Sequence, residues 1–135
     1  MTKEFETKSG AKIAINVAPF EAALNLWSMV QKAAASQRIG IDFLKDPQSL
    51  LTLILVVDSS EDFKAALWPC LMRCTRNNQK IDKSIFTDPE VRKEYYEILA
   101  PCVEENIRPF VESMFSEFNA RLKQTAAALD TQKQP

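Results

Sequence analysis

The spacing of apolar positions changes period along this chain. Over residues 5 to 17 apolar and polar side chains alternate, the signature of a strand with one covered face. A three-residue loop at Lys8, Ser9 and Gly10 folds the segment on itself, with Gly10 in the left-handed position such a loop needs. Thr7 then stands opposite Ala11, Glu6 opposite Lys12 and Phe5 opposite Ile13. This register puts Phe5, Thr7, Ile13, Ile15 and Val17 on one face and predicts a Glu6–Lys12 ion pair on the other. A slip of one residue would scatter the apolar set, so the register is specified. The predicted hairpin covers about residues 4–17.

From Pro19 onward the period becomes helical. Phe20, Leu24, Trp27, Val30 and Ala34 mark the apolar side of a helix over residues 20 to 36, with Leu24 and Trp27 expected in the core. Asp46 followed by Pro47 signals a second helix start. The run "LLTLILVV" (50–57) has no polar face, which predicts a buried helix, with a strand as the less favoured alternative. Ser59 and Asp62 resemble a capping box for a third helix over about 60–74, whose apolar face is Phe63, Leu67, Cys70, Leu71 and Cys74. Pro69 is expected to kink it. "TRNNQKID" (75–82) is a polar turn, and Asn77 with Asn78 suits a tight turn or a second short ribbon. Asp88 caps a fourth helix, with Val91, Tyr95, Ile98, Leu99 and Cys102 as its stripe. Pro101 is expected to bend it, and Pro109 to separate it from a last helix over about 109–125. That last helix gathers Phe110, Val111, Met114, Phe115, Phe118 and Leu122 on one side. Residues 126–135 carry little core material and are expected to fray.

The reading is therefore mainly α: a single helical domain over residues 1–125, about five helices, a short N-terminal β-hairpin, and a frayed tail. A chain of 135 residues suits one domain and buries enough surface for a core without staples. Seventeen basic and eighteen acidic residues leave a formal charge of −1, against a general polyanion binder. Three cysteines, no histidine and a start without an apolar leader core predict reduced thiols inside a cell. No apolar run reaches the roughly 18 residues of a membrane span.

Few residues point to chemistry. Cys70 and Cys74 share a helical face, and Cys102 adds a third thiol, but zinc takes four ligands and no histidine completes the set. Packing as small hydrophobes explains the thiols better, without a metal or a disulfide. A thiol nucleophile would lack its usual base. Glu97, Glu104, Glu105 and Glu112 fit a solvated helix face. Gly10 and Gly40 are the only glycines, so there is no phosphate loop. No catalytic residue, cofactor or metal is assigned. Arg73, Arg76, Lys80 and Lys83 surround the central turn, where a solvated polar turn is the simpler account than a phosphate contact. The stripe Phe110, Met114 and Phe118 suits a core or an interface equally, because Phe and Met are enriched at interface centres.

Three stretches in order carry a family likeness: "FETKSGAKIAINVAPFEAALNLW", "DSSEDFKAALWPCLMRCTRNNQKI" and "FTDPEVRKEYYEILAPCVEENIRPF". Over residues 5 to 115 the chain resembles the tail assembly chaperones of long-tailed, siphovirus-type phages and prophages. It has Asn78 where the family often has glycine in the central turn, and Pro69 and Pro101 within its helices. The resemblance implies a non-enzymatic protein of the host bacterial cytoplasm, absent from the finished virion. It implies coating of the tape-measure protein and recruitment of tail tube protein through a longer, frameshifted form. Self-association into an oligomer or ring would follow, with no role for nucleic acid or membrane. Expected contact residues are Ile13, Ile15 and Val17 on the ribbon and Phe110, Met114 and Phe118 on the last helix. The competing reading is a small helical nucleic-acid-binding regulator, using Lys64, Arg73 and Arg76 on helix three.

Overall fold

The computed structural model describes residues 2–40 and 46–133. The order is β1 (Thr2–Glu6), β2 (Lys12–Asn16), α1 (Phe20–Ser36), α2 (Pro47–Val57), α3 (Glu61–Leu71), β3 (Thr75–Arg76), β4 (Gln79–Lys80), a 3₁₀ turn (Lys83–Thr87), α4 (Pro89–Arg92) and α5 (Tyr95–Lys133). The fold is mainly α with an N-terminal antiparallel hairpin, as predicted.

The hairpin adopts the predicted register, with Phe5 opposite Ile13 and Glu6 opposite Lys12. Its loop closes through Gly10 N donating to the Thr7 carbonyl and Thr7 N to the Ala11 carbonyl, both at 2.9 Å. Gly10 has φ +91°, the left-handed conformation expected of it. Glu6 and Lys12 face each other across the strands, but both are exposed and no ion pair joins them.

The ribbon does not stay two-stranded. Asn77 and Asn78 take φ 50° and 66°, both central positions of a two-residue hairpin turn joining β3 to β4. That second hairpin pairs with β2, giving the sheet order β1-β2-β3-β4. Asn77 extends the ladder: its N–H donates to the Lys12 carbonyl at 2.7 Å, and its Oδ1 accepts from Lys12 N at 2.9 Å. β2 is thus an inner strand.

The helix starts follow their capping residues. Asp46 accepts from Gln48 N at 3.2 Å and Pro47 occupies the first position of α2. Ser60, not Ser59, caps α3, accepting from Phe63 N at 3.3 Å. Asp88 accepts from Glu90 N at 2.9 Å ahead of Pro89. α4 lasts a single turn. The chain breaks helix at Lys93 and Glu94, where the Glu94 carbonyl accepts from Ile98 N and opens α5.

α5 corrects the reading of the C-terminal third. Pro101 and Pro109 do not divide it, and one helix runs from Tyr95 to Lys133. Each proline removes one helical hydrogen bond. Buried Leu99, Cys102, Val103, Ile107 and Val111 span both positions, and their packing carries the helix past the lost bonds. At 1.5 Å per residue the helix is roughly 58 Å long.

One cluster of buried side chains gathers β2, α1, α2, α3 and α5, with Leu26, Trp27, Leu53, Phe63, Leu67 and Ile98 among its members. The predicted apolar face of helix three, Phe63 through Cys74, is buried throughout. α2 is less enclosed than its all-apolar run suggested, since Leu55 and Val56 are exposed. Leu24 was expected in the core; it is 38% exposed. Leu26 and Trp27 take the inward direction of α1, which turns Leu24 to its rim. Among the described residues, no helix is long and apolar enough to cross a membrane.

Candidate interaction surface

The junction between ribbon and α1 is fixed from below. Asn106, buried on α5, accepts from Ala18 N through Oδ1 and donates to the Cys102 carbonyl through Nδ2, both at 2.8 Å. Pro19 then takes the N-cap position of α1. Phe20, the first residue of α1, is 68% exposed, although its spacing put it on the helix's apolar side. Its ring lies 6.0 Å from that of Phe110, which stacks on Trp27 at 6.3 Å with nearly parallel planes. Val17 and Leu24, both partly open to solvent, stand beside Phe20 in the chain.

Phe110 begins a ridge on α5. Met114, Phe118 and Leu122 follow at four-residue intervals, which places them along one side of the helix. Exposure rises outward along it: Phe110 and Met114 are half-buried, while Phe118 and Leu122 are 58% and 52% exposed. Val111 and Phe115 on the adjoining ridge are buried, and from Ser116 to Ala127 every side chain is exposed. The core-facing side of α5 thus continues past the body as an uncovered apolar surface.

The expected ribbon contacts are relocated. Ile13 and Ile15 are each 1% exposed and belong to the core cluster they share with the helices. Val17 alone of the three remains open. The ribbon's free edge belongs to β1. Lys3 on that strand pairs with Glu105 on α5 at 3.2 Å, and Lys8 N donates to Glu97 at 3.0 Å, so two of the glutamates read as solvated tie the ribbon down.

The basic residues of the central turn do not form a common patch. Arg76 pairs with buried Glu94, and Lys83 lies over the Trp68 ring at 5.3 Å. Arg73 and Arg76 fall beyond the end of α3, so two of the three residues needed for a nucleic-acid recognition helix are not on it. Asp82 is held below its usual range, chiefly by the hydrogen bond from Ser84.

The three thiols are fully buried and unbridged. Burial pushes Cys70 up to about 11. Cys74 and Cys102 have their sulfurs 3.8 Å apart; the contact lowers Cys74 and, with burial, raises Cys102. Among the described residues no three His, Cys, Asp or Glu side chains assemble to hold a metal ion. Tyr95 and Tyr96 both donate to Asp58, at 3.2 and 3.1 Å, pinning the end of α2 to the start of α5.

The sequence marked the α5 stripe as a candidate but missed Phe20 and Leu24, which helical spacing alone assigned inward. No family model, curated protein or solved structure matches this chain.

Proposed function

We propose that this protein is a tail assembly chaperone of the siphovirus type, a non-enzymatic subunit that coats the tape-measure protein during tail assembly. The observation that carries the reading is the strip Phe20–Phe110–Met114–Phe118–Leu122, an open row of aromatic, Met and Leu side chains on a helical body. Such a row is the kind of surface that receives the apolar face of an amphipathic helix. The sequence resemblance supplies the identity of that helix, the tape-measure protein.

The physical task is to keep a long apolar helix soluble under a cover that can be removed. Many small subunits with modest contacts do this through avidity, and lose hold together once tube protein competes. Neighbouring subunits meet through the free edge of β1, whose outward groups are available for strand pairing. The longer, frameshifted form brings tube subunits to the coat. The protein acts in the host cytoplasm and leaves before the virion is complete.

The test uses a purified fragment of a tape-measure protein of the siphovirus type. Calorimetry should show binding by the wild type. Phe118→Asp and Leu122→Asp should each weaken it about tenfold or more, with an unchanged circular dichroism spectrum. A wild type that ignores the fragment would remove the proposal.

A further inference from the structure

We propose that Cys74 and Cys102 close into an intramolecular disulfide when the chain meets a peroxide, with Cys74 attacking and Cys102 resolving. The pair stands whether or not the protein binds a tape-measure helix.

The two sulfurs already touch, 3.8 Å apart, although their residues lie 28 positions apart in the chain. A disulfide needs about 2.05 Å, so they have to close by about 1.8 Å. One of them has room to turn. Cys74 sits outside regular structure, between the end of α3 at Leu71 and the start of β3 at Thr75, so its side chain can rotate without unwinding a helix. Cys102 is fixed on α5, with Asn106 Nδ2 3.7 Å from its sulfur. Cys70 is a bystander. It lies four residues before Cys74, a spacing at which side chains point the same way rather than at each other. Its own thiol reaches instead to the Ala22 carbonyl at 3.6 Å.

Two features give Cys74 the attacking role. The Cys102 contact holds its thiol below the ordinary value; burial opposes this and the Asn16 backbone adds to it. Cys70 and Cys102 are both raised, so neither competes as a thiolate. Cys74 also forms part of the wall of a surface pocket, together with Asn16, Arg73, Thr75 and Lys80. It keeps no exposed surface there, so entry waits on a local opening of that wall. A peroxide is little larger than water and passes such an opening, whereas a bulky thiol reagent is kept out. The reaction is therefore slow.

The Cys74 thiolate attacks one peroxide oxygen and breaks the O–O bond, giving a sulfenic acid. The other oxygen leaves as hydroxide and takes up the proton that Cys74 released, forming water. The Cys102 sulfur then attacks the Cys74 sulfur. The S–O bond breaks, and its oxygen leaves with the Cys102 proton as a second water. Two thiols are oxidised and one peroxide is reduced. The new bond ties the turn after α3 to α5, and a dithiol reverses it.

Overnight exposure of the native full chain to hydrogen peroxide, then alkylation in denaturant and a non-reducing digest, tests this. Trypsin cuts after Arg73, so Cys70 and Cys74 fall on different peptides. Mass spectrometry should find Cys74 joined to Cys102 and Cys70 alkylated, and dithiothreitol should undo the link. Cys70→Ala should form the link to the same extent. Cys102→Ala, with an unchanged helical spectrum, should hold a sulfenic acid on Cys74 that dimedone traps; a folded variant without that adduct overturns the order of attack. Three alkylated thiols after exposure overturn the inference, as does a link through Cys70, a link between chains, or a link that forms only in denaturant. If Cys102→Ala does not fold, the wild-type map alone decides.

Discussion

Arg76 on β3 places Nε and Nη2 on one carboxylate oxygen of Glu94, at 3.0 and 2.8 Å, while Thr7 Oγ1 donates to the other oxygen at 2.7 Å. The pair joins the sheet, the first hairpin loop and the break before α5. Burial opposes ionisation of Glu94, but the hydrogen bonds from Thr7 and Arg76 and the charge of Arg76 outweigh it and hold the carboxyl below its ordinary value of 4.5. A lowered folded value means the charged form is favoured by folding. Its contribution is full above pH 4.5 and is lost as pH falls through the lowered folded value. Arg76→Met should strand the carboxylate and cost about 3–5 kcal/mol at neutral pH. Its deficit against the wild type, measured by urea melts, should shrink as the medium is acidified below 4.5. A deficit constant with pH would show that Glu94 is not the group involved.

The two hairpin turns make opposite demands on substitution. Gly10 has φ +91° with open space where a Cβ would go, so Gly10→Ala meets only the backbone penalty, about 1–2 kcal/mol. Asn78 has φ 66°, which glycine adopts more freely. Asn78→Gly should be neutral or stabilising by up to about 1 kcal/mol. Thermal melts of the two variants should move in opposite directions or leave the second unmoved.

Leu24 and Leu26 differ in depth despite lying two residues apart. Leu26→Ala should cost about 2–5 kcal/mol, since that side chain is wholly buried. Leu24→Ala should cost less than about 1 kcal/mol, because Leu24 keeps 38% of its surface. Equal losses in denaturant melts would return Leu24 to the core.

The same pair shows what the sequence could and could not tell. Period and turn chemistry located β1, β2, α1 and α2 closely, because each rests on local rules that residues carry with them. Depth within a wide apolar face is different: it depends on which neighbours arrive, and α1 alone does not say that Leu26 wins the centre. The sheet was half legible. Asn77 and Asn78 announced a turn, but its pairing with β2 is a long-range contact with no local signal. Pro109 misled for a related reason, since local propensity yields to tertiary packing along α5.

The thiols should be inert in the native state. Cys70, raised to about 11, stays protonated at neutral pH, and all three sulfurs are out of contact with solvent. Thiol titration should find none reacting promptly in buffer and three reacting in denaturant. Zinc retained stoichiometrically through purification in chelator would contradict this picture.

The projecting end of α5 allows fold and function to be separated. Side chains from Ser116 to Ala127 are exposed, so they add little to the packing of the body. A chain ending after Phe115 should therefore unfold within about 0.5 kcal/mol of the full-length protein. It should show a smaller helical signal, and it should lose tape-measure binding, because Phe118 and Leu122 are gone while Phe110 and Met114 remain half-covered. Met114→Glu provides the contrast. That side chain is partly packed against the core, so a charge there should destabilise by about 1–3 kcal/mol and weaken binding together. If the truncated chain unfolds like Met114→Glu, the end of α5 is structural; if it folds and still binds the fragment, the contact surface lies elsewhere on the body.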